Sequence, residues 1–181
     1  KKVKAIGETG LDFYYDNSPR KQQKKAFKEQ LELAEELNLP VVVHSREAGE
    51  ETLEVIDSVG DFSDKLIFHC YAYGPELIEK IIEKDYYAAF GGLITFNSAS
   101  EIREALKKMP LDKILLETDA PYLTPSPNRG KRNEPANLQY IVKKAAEVKE
   151  IDAEELSEIT SRNAERVYKL TDNNLEGEWM L

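Results

Sequence analysis

Short apolar runs alternate with longer segments of helical periodicity along nearly the whole chain. The five apolar runs cover residues 3–7, 41–44, 66–70, 87–91 and 113–118. Between them, segments such as 19–38 and 75–84 repeat apolar residues at the spacing of an amphipathic helix. Alternation of strands and helices predicts a parallel sheet joined by right-handed crossovers. We therefore expect an α/β protein.

The composition is that of a water-soluble domain with a negative surface. The chain has 181 residues, of which 41% are hydrophobic, and its net charge is −9. Such a surface repels polyanions, so any binding of nucleic acid must be local. The sequence has neither an apolar run of membrane-spanning length nor a signal-like apolar segment near its start, so we expect a cytoplasmic protein that binds no membrane. We predict a domain over residues 1–170 and a tail over residues 171–181.

Four residues with metal-binding or acid–base side chains lie at the ends of four of these runs. They are Glu8, His44, His69 and Asp119. The carboxyl ends of parallel strands meet at one edge of a sheet, so these side chains are expected to converge if the strands belong to one barrel. Glutamate, histidine and aspartate are the ligand types of a hydrolytic divalent-metal centre. The sequence therefore predicts a metal-dependent active site.

The spacing of these four residues agrees with a repeating strand–helix unit. Consecutive members are separated by 36, 25 and 50 residues. An eight-unit barrel of about 250 residues has roughly 31 residues per unit, so the intervals fit one, one and two units. We predict an α/β fold of the (β/α)8 TIM-barrel type, of which about five strand–helix units are present. Because the chain begins with Lys1 directly before a strand, we expect it to be an excerpt or a truncated form.

Six motifs, in order, resemble the TatD family of metal-dependent deoxyribonucleases. They are GETGLD at 7–12, VHSR at 43–46, FHC at 68–70, ETDAPYL at 117–123, RGKRNEP at 129–135 and NAER at 163–166. The resemblance covers residues 3 to about 170. It implies a barrel of the amidohydrolase type with two divalent ions, which are zinc, magnesium or manganese. It also implies hydrolysis of DNA phosphodiester bonds in single strands or from 3′ ends.

The resemblance implies a role for each candidate ligand. Glu8 would bridge the two ions, and His44 and His69 would hold the second ion. Asp119 would bind the first ion and take the proton from the attacking water, so Glu8 and Asp119 are the predicted catalytic residues. A carboxylate can span two cations, and a metal ion makes water nucleophilic near neutral pH.

The sequence departs from the family pattern at the first ion. Members of the family begin with a strand that ends in His-x-His, whereas this chain contains two histidines in all, His44 and His69. We therefore expect an N-terminal third of the domain to be absent and one ion to be retained. This chain alone should have little or no nuclease activity. The open edges of an incomplete barrel would favour self-association.

Two residues near the predicted ligands have alternative interpretations. Arg46 follows His44 on the catalytic edge and is predicted to contact the substrate, although it could instead pair with Glu47 or Glu50. Asp12 follows Gly10 and is either a turn residue or a residue that holds a metal ligand in place. The sequence alone leaves both choices for Asp12 open.

A cationic loop follows the last predicted strand. It contains Arg129, Lys131 and Arg132, followed by Asn133, ahead of a helix that opens on Pro135. Phosphate sites of TIM barrels often lie in the loops after the last strands, at a helix N-terminus. We predict that these four residues of the loop bind the substrate. The alternative is a solvated surface loop with no such function.

Two other functions are consistent with the same motifs. A hydrolase of the same superfamily could cleave another bond, for example the ester of an aminoacyl-tRNA. Alternatively, the chain could be an inactive barrel fragment, because the His-x-His ligands are absent. Retention of Glu8, His44, His69 and Asp119 argues against the inactive fragment.

Overall fold

A computed structural model of the protein describes residues 2–170 as alternating strands and helices. The predicted tail over 171–181 lies outside these residues. None of the helices in the described part combines the length and the apolar composition that a membrane span needs. The strands are β1 Ile6–Asp12, β2 Val41–Arg46, β3 Leu66–Phe68, β4 Tyr87–Phe90 and β5 Ile114–Leu116. The α-helices are α1 Arg20–Leu37, α2 Gly49–Asp57, α3 Pro75–Glu83, α4 Ser100–Lys108, α5 Leu138–Lys149 and α6 Ala153–Val167.

The five strands form one parallel sheet in sequence order, from β1 to β5. Each strand follows its neighbour through a helix, as strand–helix alternation predicted. Within residues 2–170, β1 and β5 pair with one neighbour each. The sheet is therefore the five-unit parallel arrangement that the sequence predicted.

Each of the five predicted strands differs from the observed one by at least one residue, and the difference is largest at the first strand. The first strand covers Ile6–Asp12 and not residues 3–7, so Glu8 lies within the strand. The last strand ends at Leu116, before the predicted end at residue 118. The apolar pattern missed most of β1 because the strand contains two glycines and a glutamate, which are depleted in strands. Pairing of β1 with β2 also shifts register between Ile6 and Thr9, so an even alternation of side chains is lost there.

The core has two parts, one on each face of the sheet. On one face, buried residues such as Val43 and Phe68 pack against Phe27 of α1 and Ile78 of α3. On the other face, a smaller apolar cluster joins strand residues to the end of α6, and it comprises Ile67, Tyr87, Ala89, Leu115 and Val167. Successive strand residues point to opposite faces, which separates these two clusters.

The amino end of the sheet carries a network of matched charges. The Lys113 ammonium lies 2.8 Å from a carboxylate oxygen of Asp64 and 2.8 Å from one of Asp85. The Tyr87 hydroxyl donates to Asp64, and the Arg166 guanidinium donates to that hydroxyl over 2.9 Å. Buried or partly buried charges are stable when they are paired and hydrogen-bonded in this way. The charged side chains at this end of the sheet are therefore paired with one another and have a structural role.

Candidate metal centre

Close contact between β1 and β2 brings the first two candidate ligands together. Gly10 is paired with His44 in the sheet, and its φ is +150°. A Cβ atom at this position would lie 1.9 Å from the carbonyl oxygen of His44, so only glycine fits. This approach places Glu8, two residues before Gly10, beside the His44 ring.

Glu8 lies between the two histidine rings. Its Oε1 atom is 2.9 Å from Nδ1 of His44 and 3.2 Å from Nε2 of His69. The centroids of the two rings are 5.7 Å apart. One ligand atom from each of the three residues lies within 4.8 Å of the others. The three side chains thus form a cluster with the donor types and the spacing of a divalent-metal site.

Asp12 fulfils both of the functions that the sequence left open. Its Oδ1 accepts the backbone N–H groups of Tyr14 and Tyr15, at 3.0 and 2.8 Å, which closes the turn after β1. Its Oδ2 lies 3.2 Å from Nε2 of His44. Burial raises the pKa of the Asp12 carboxyl, but the hydrogen bonds from Tyr15 and His44 lower it further, so the net pKa is lowered. Asp12 is therefore an ionised carboxylate that orients His44.

Glu117 is a site residue that the sequence reasoning did not select. Its Oε1 lies 3.4 Å from Nδ1 of His69 and also accepts the backbone N–H of Cys70. Glu117 therefore contacts the ring nitrogen of His69 that faces away from Glu8. A signal was present in the sequence, because Glu117 precedes Asp119 by two residues in the ETDAPYL motif at the end of a predicted strand.

The electrostatics of the cluster favour a positive charge at His69. Burial lowers the pKa of this imidazole, but the hydrogen bond and charge of Glu117, together with the charges of Glu8 and Asp119, raise it to about 8. In the metal-free protein a proton on His69 thus partly balances the carboxylates. Within residues 2–170, no Lys or Arg forms an ion pair with Glu8, Glu117 or Asp119. The centre has an excess of negative charge that a cation would neutralise.

Asp119 lies in the loop after β5, with a left-handed φ of 53°. Among the described residues it is outside the three-residue cluster formed by Glu8, His44 and His69. Burial is the main reason that its carboxyl pKa is raised, and the negative charges of Glu117 and Glu8 add to the effect. The structure therefore places Asp119 in the electrostatic field of the cluster, while its role as a ligand and a base stays a prediction.

Arg46 lies at the end of β2 and faces two tyrosines. Its guanidinium carbon is 4.0 Å from the ring centroid of Tyr14 and 4.8 Å from that of Tyr15. In the described part of the chain it forms no ion pair with Glu47 or Glu50, and Glu50 pairs with Lys80 instead. The predicted alternative for Arg46 is therefore not observed, and its contact with the substrate stays a prediction.

The three cations of the loop, Arg129, Lys131 and Arg132, are exposed to solvent. The Arg129 guanidinium also stacks 3.4 Å from the centroid of the Phe96 ring. Stacking of this kind orients the guanidinium plane and leaves its donors free at the edge. The substrate-binding role of these three cations stays a prediction.

Asn133 lies beneath this loop. Its side chain is buried, with 2% of its surface exposed. The amide donates to the carbonyl oxygens of Thr118 and Tyr122, each over 2.6 Å. Asn133 thus holds the segment on both sides of Asp119 in place, and in this arrangement its amide faces protein groups. Its direct contact with a substrate stays a prediction.

Comparison with known proteins assigns the chain to a family. The sequence profile of the family described as TatD related DNase matches residues 1–169. The chain belongs to this family. It is 41% identical to the uncharacterized metal-dependent hydrolase YabD of Bacillus subtilis (strain 168), over 93% of this chain and 66% of that protein. It is 36% identical to the uncharacterized metal-dependent hydrolase YcfH of Escherichia coli (strain K12), over 96% of this chain and 66% of that protein.

The fold agrees with that of a solved relative. The crystal structure of YJJV, a TatD homolog from Escherichia coli K12, superposes with a TM-score of 0.86 and 29% identity, over 92% of this chain and 64% of that chain. The α/β fold of the TIM-barrel type is thereby confirmed. This chain spans just under two thirds of the length of these relatives. The family match starts at residue 1 and so gives no support to the expectation that an N-terminal third of the domain is absent.

Proposed function

We propose that this chain carries a divalent-metal-dependent phosphodiesterase centre that acts on DNA, as a 3′–5′ exonuclease. The observation that carries this proposal is the cluster of Glu8, His44 and His69 at the carboxyl end of the sheet, within 4.8 Å of one another. The family description, TatD related DNase, supports DNA as the substrate. A cytoplasmic location is a further part of the proposal.

The residues fit one divalent ion. Glu8, His44 and His69 supply one carboxylate and two imidazoles, a donor set suited to zinc or manganese. Asp12 and Glu117 each contact a histidine nitrogen, which fixes ring orientation and raises ligand basicity. A divalent ion held there would polarise a phosphoryl oxygen and make water nucleophilic near neutral pH. The two-ion centre that the family resemblance implies remains a proposal.

The other residues have separate roles in this proposal. In this proposal Asp119, whose carboxyl pKa is raised, accepts a proton from the attacking water. Lys131 and Arg132 in the exposed loop are proposed to contact substrate phosphates, with the stacked Arg129 beside them. Replacing these three cations by Gln should weaken DNA binding and reduce its salt dependence, by about one unit of slope for each phosphate that is no longer neutralised.

The decisive experiment combines metal addition with a labelled substrate. The chain is treated with chelator, supplied with Zn²⁺, Mn²⁺ or Mg²⁺, and incubated with single-stranded DNA labelled at either end. Metal-dependent release of nucleotides from the 3′ end, abolished in His69→Ala and Asp119→Asn, would support the proposal over the expectation from the sequence that this chain alone has little or no nuclease activity. Glu50→Gln, an exposed acid away from the cluster, is the matched control. Release without metal would contradict the proposal.

The same preparation separates the competing functions. Aminoacyl-tRNA is supplied in parallel, and ester hydrolysis without DNA cleavage would favour that other bond. If neither substrate is cleaved, addition of a segment carrying His-x-His tests whether this chain is an inactive part of a larger site. A size measurement in the same buffer tests the predicted self-association through the edges of β1 and β5.

A further inference from the structure

Two tyrosines and an arginine form an exposed surface beside the metal centre. Tyr14 and Tyr15 are 54% and 61% exposed, and their ring centroids are 4.9 Å apart at an interplanar angle of 83°. The Arg46 guanidinium lies over both rings. We call Tyr14, Tyr15 and Arg46 the tyrosine platform. Adjacent exposed aromatic rings are costly in water and mark a binding surface more often than an isolated ring does.

The tyrosine platform is held rigidly. The Asp12 carboxylate accepts the N–H groups of both tyrosines. The Gln23 side chain accepts the N–H of Asp12 over 2.9 Å and donates to the carbonyl oxygens of Asp12 and Ser18, at 3.1 and 2.8 Å. These bonds order the loop before any ligand arrives, which reduces the entropy cost of binding.

The same hydrogen bonds place the tyrosine platform next to the metal centre. One oxygen of Asp12 holds the backbone of the two tyrosines, and the other lies 3.2 Å from the His44 ring. A single carboxylate therefore separates the platform from a candidate metal ligand. A ligand bound at the metal centre that is longer than one group can therefore extend onto the platform.

The charge around the tyrosine platform suits an anion. Residues 13–28 contain five cationic side chains and one acidic side chain, in a chain of net charge −9. Helix α1 has no acidic residue in its first turn, where cations oppose the helix dipole. In the described residues, Lys21 and Lys24 form no ion pair. Gln23, which lies between these two lysines in the sequence, is bonded to Asp12, so this part of α1 adjoins the loop that carries the two tyrosines.

We propose that the tyrosine platform stacks the unpaired bases of a single-stranded nucleic acid whose phosphodiester lies at the metal centre. Lys21 and Lys24 contact its phosphates. Bases stack on exposed aromatic rings without regard to sequence, and cations follow the backbone. This inference rests on the proposed function, for which the family resemblance already implies single strands, and it names the residues that would hold their unpaired bases.

The test measures binding in the presence of chelator, so it does not depend on catalysis. Fluorescence anisotropy compares an oligothymidylate of about six nucleotides with an abasic strand of equal length, which has the same phosphates and no bases. We expect the wild-type chain to bind the base-containing strand about tenfold more tightly. Tyr14→Ala with Tyr15→Ala should remove this preference, whereas Tyr14→Phe with Tyr15→Phe, which retains both rings, should keep it.

The outcomes distinguish the two proposals. Equal affinity of the wild-type chain for both strands would overturn the inference without any variant, so a folding defect cannot obscure the result. Loss of the preference in the Phe variant as well would also overturn it. Hydrolysis of bis(p-nitrophenyl) phosphate, which has no bases, tests the proposed function alone. If this ester is hydrolysed and the base preference is absent, only the inference fails.

A second binding experiment tests the proposed contacts of Lys21 and Lys24 with phosphate. Lys21→Gln with Lys24→Gln should reduce the salt slope of oligothymidylate binding by about 0.7 for each phosphate that the variant no longer binds. Lys143→Gln with Lys144→Gln, which removes the same charge from α5, is the control and should leave the slope nearer the wild-type value. Equal slopes in the two double variants would remove the cations of α1 from the proposed site.

Discussion

The charged side chains are paired with opposite charges at one end of the sheet and lack cationic partners from Lys or Arg at the other. At the amino end, Lys113 lies between Asp64 and Asp85, and Arg166 bonds the Tyr87 hydroxyl that donates to Asp64. At the carboxyl end, a group of carboxylates faces two imidazoles, with no Lys or Arg paired to Glu8, Glu117 or Asp119 in the described residues. The charges at one end are neutralised by the protein's own side chains, whereas the carboxylates at the other end have no Lys or Arg partner among the described residues.

This contrast shows which end is built for stability and which for function. Paired charges at the amino end stabilise the folded chain without any ligand. At the carboxyl end, burial and the charges of Glu117 and Glu8 raise the pKa of the Asp119 carboxyl, so negative charge is concentrated where a bound cation would stabilise it. Substitutions at one end should therefore change metal binding, and substitutions at the other should change stability.

The largest expected effect is on metal binding. His69→Ala removes a buried imidazole of the cluster, and we expect the affinity for Zn²⁺ or Mn²⁺ to fall at least about 100-fold, because a direct ligand matters more than the residues that orient it. Isothermal titration calorimetry measures this change. Glu50→Ala, which removes an exposed carboxylate, should retain wild-type affinity. Equal affinity in His69→Ala would show that the cluster does not hold the ion.

At the amino end of the sheet, a substitution is expected to change stability and to leave metal binding unchanged. Lys113→Met leaves Asp64 and Asp85 facing each other, and we expect the free energy of unfolding to fall by about 2 kcal/mol. This is less than the ~3–5 kcal/mol of a fully buried pair, since the two Asp side chains are 51% and 56% exposed. Urea denaturation measures it, and metal affinity should be unchanged. Lys107→Met removes an exposed cation paired with Glu150 over 3.7 Å and should cost under about 0.5 kcal/mol.

A smaller effect is expected for Glu117→Gln. Loss of this negative charge should lower the His69 pKa from about 8. The affinity for the ion should fall about tenfold, because Glu117 orients His69 without being in the three-residue cluster. Proton NMR follows the imidazole titration, and calorimetry follows the metal. A variant in which the His69 pKa does not move would contradict the assigned contact, and Glu147→Gln on α5 provides the exposed control.

The same pKa predicts how metal binding depends on pH. A metal ligand must be deprotonated, so ion and proton compete for His69, and affinity should weaken as the pH falls below about 8. The folding stability of the metal-free protein depends on pH with the opposite sign. Because folding raises the His69 pKa above 6.5, the proton on His69 stabilises the folded chain below pH 6.5. This contribution is lost as the pH rises through about 8. Calorimetry in two buffers of different ionisation enthalpy would detect the released proton.

The sequence predicted a parallel sheet of alternating strands and helices and the convergence of Glu8, His44 and His69, because apolar runs and strand ends depend on local composition. It did not predict β1 correctly, since the register shift near Gly7 and the approach of Gly10 to His44 arise from pairing between strands. It also missed the contact of Glu117 with His69. Such contacts join residues far apart in the chain, and only the folded sheet brings them together.

The loop after β5 shows the same limit. Its cations were recognised from charge alone, and they remain candidates for phosphate binding. The burial of Asn133 and its bonds to the carbonyls of Thr118 and Tyr122 could not be inferred, because a polar residue in a charged motif is usually exposed. Contacts within the folded loop, and not its composition, decide which of its residues face solvent.

The smallest expected effect is the pH dependence of the amino-end network. Burial raises the pKa of the Asp64 carboxyl, but the bonds from Lys113 and Tyr87 lower it more, so the net pKa is below 3.8. A lowered pKa stabilises the folded chain above the unfolded value, and this contribution disappears as the pH falls through the folded value. Asp64→Asn should therefore reduce stability at pH 7 by about 1 kcal/mol or less, because the side chain is half exposed and solvent screens it. The difference from the wild-type chain should shrink as the pH is lowered toward about 3 in urea denaturation. A difference that stays constant over this range would show that hydrogen bonding or packing, and not the charge of Asp64, closes the amino end of the sheet.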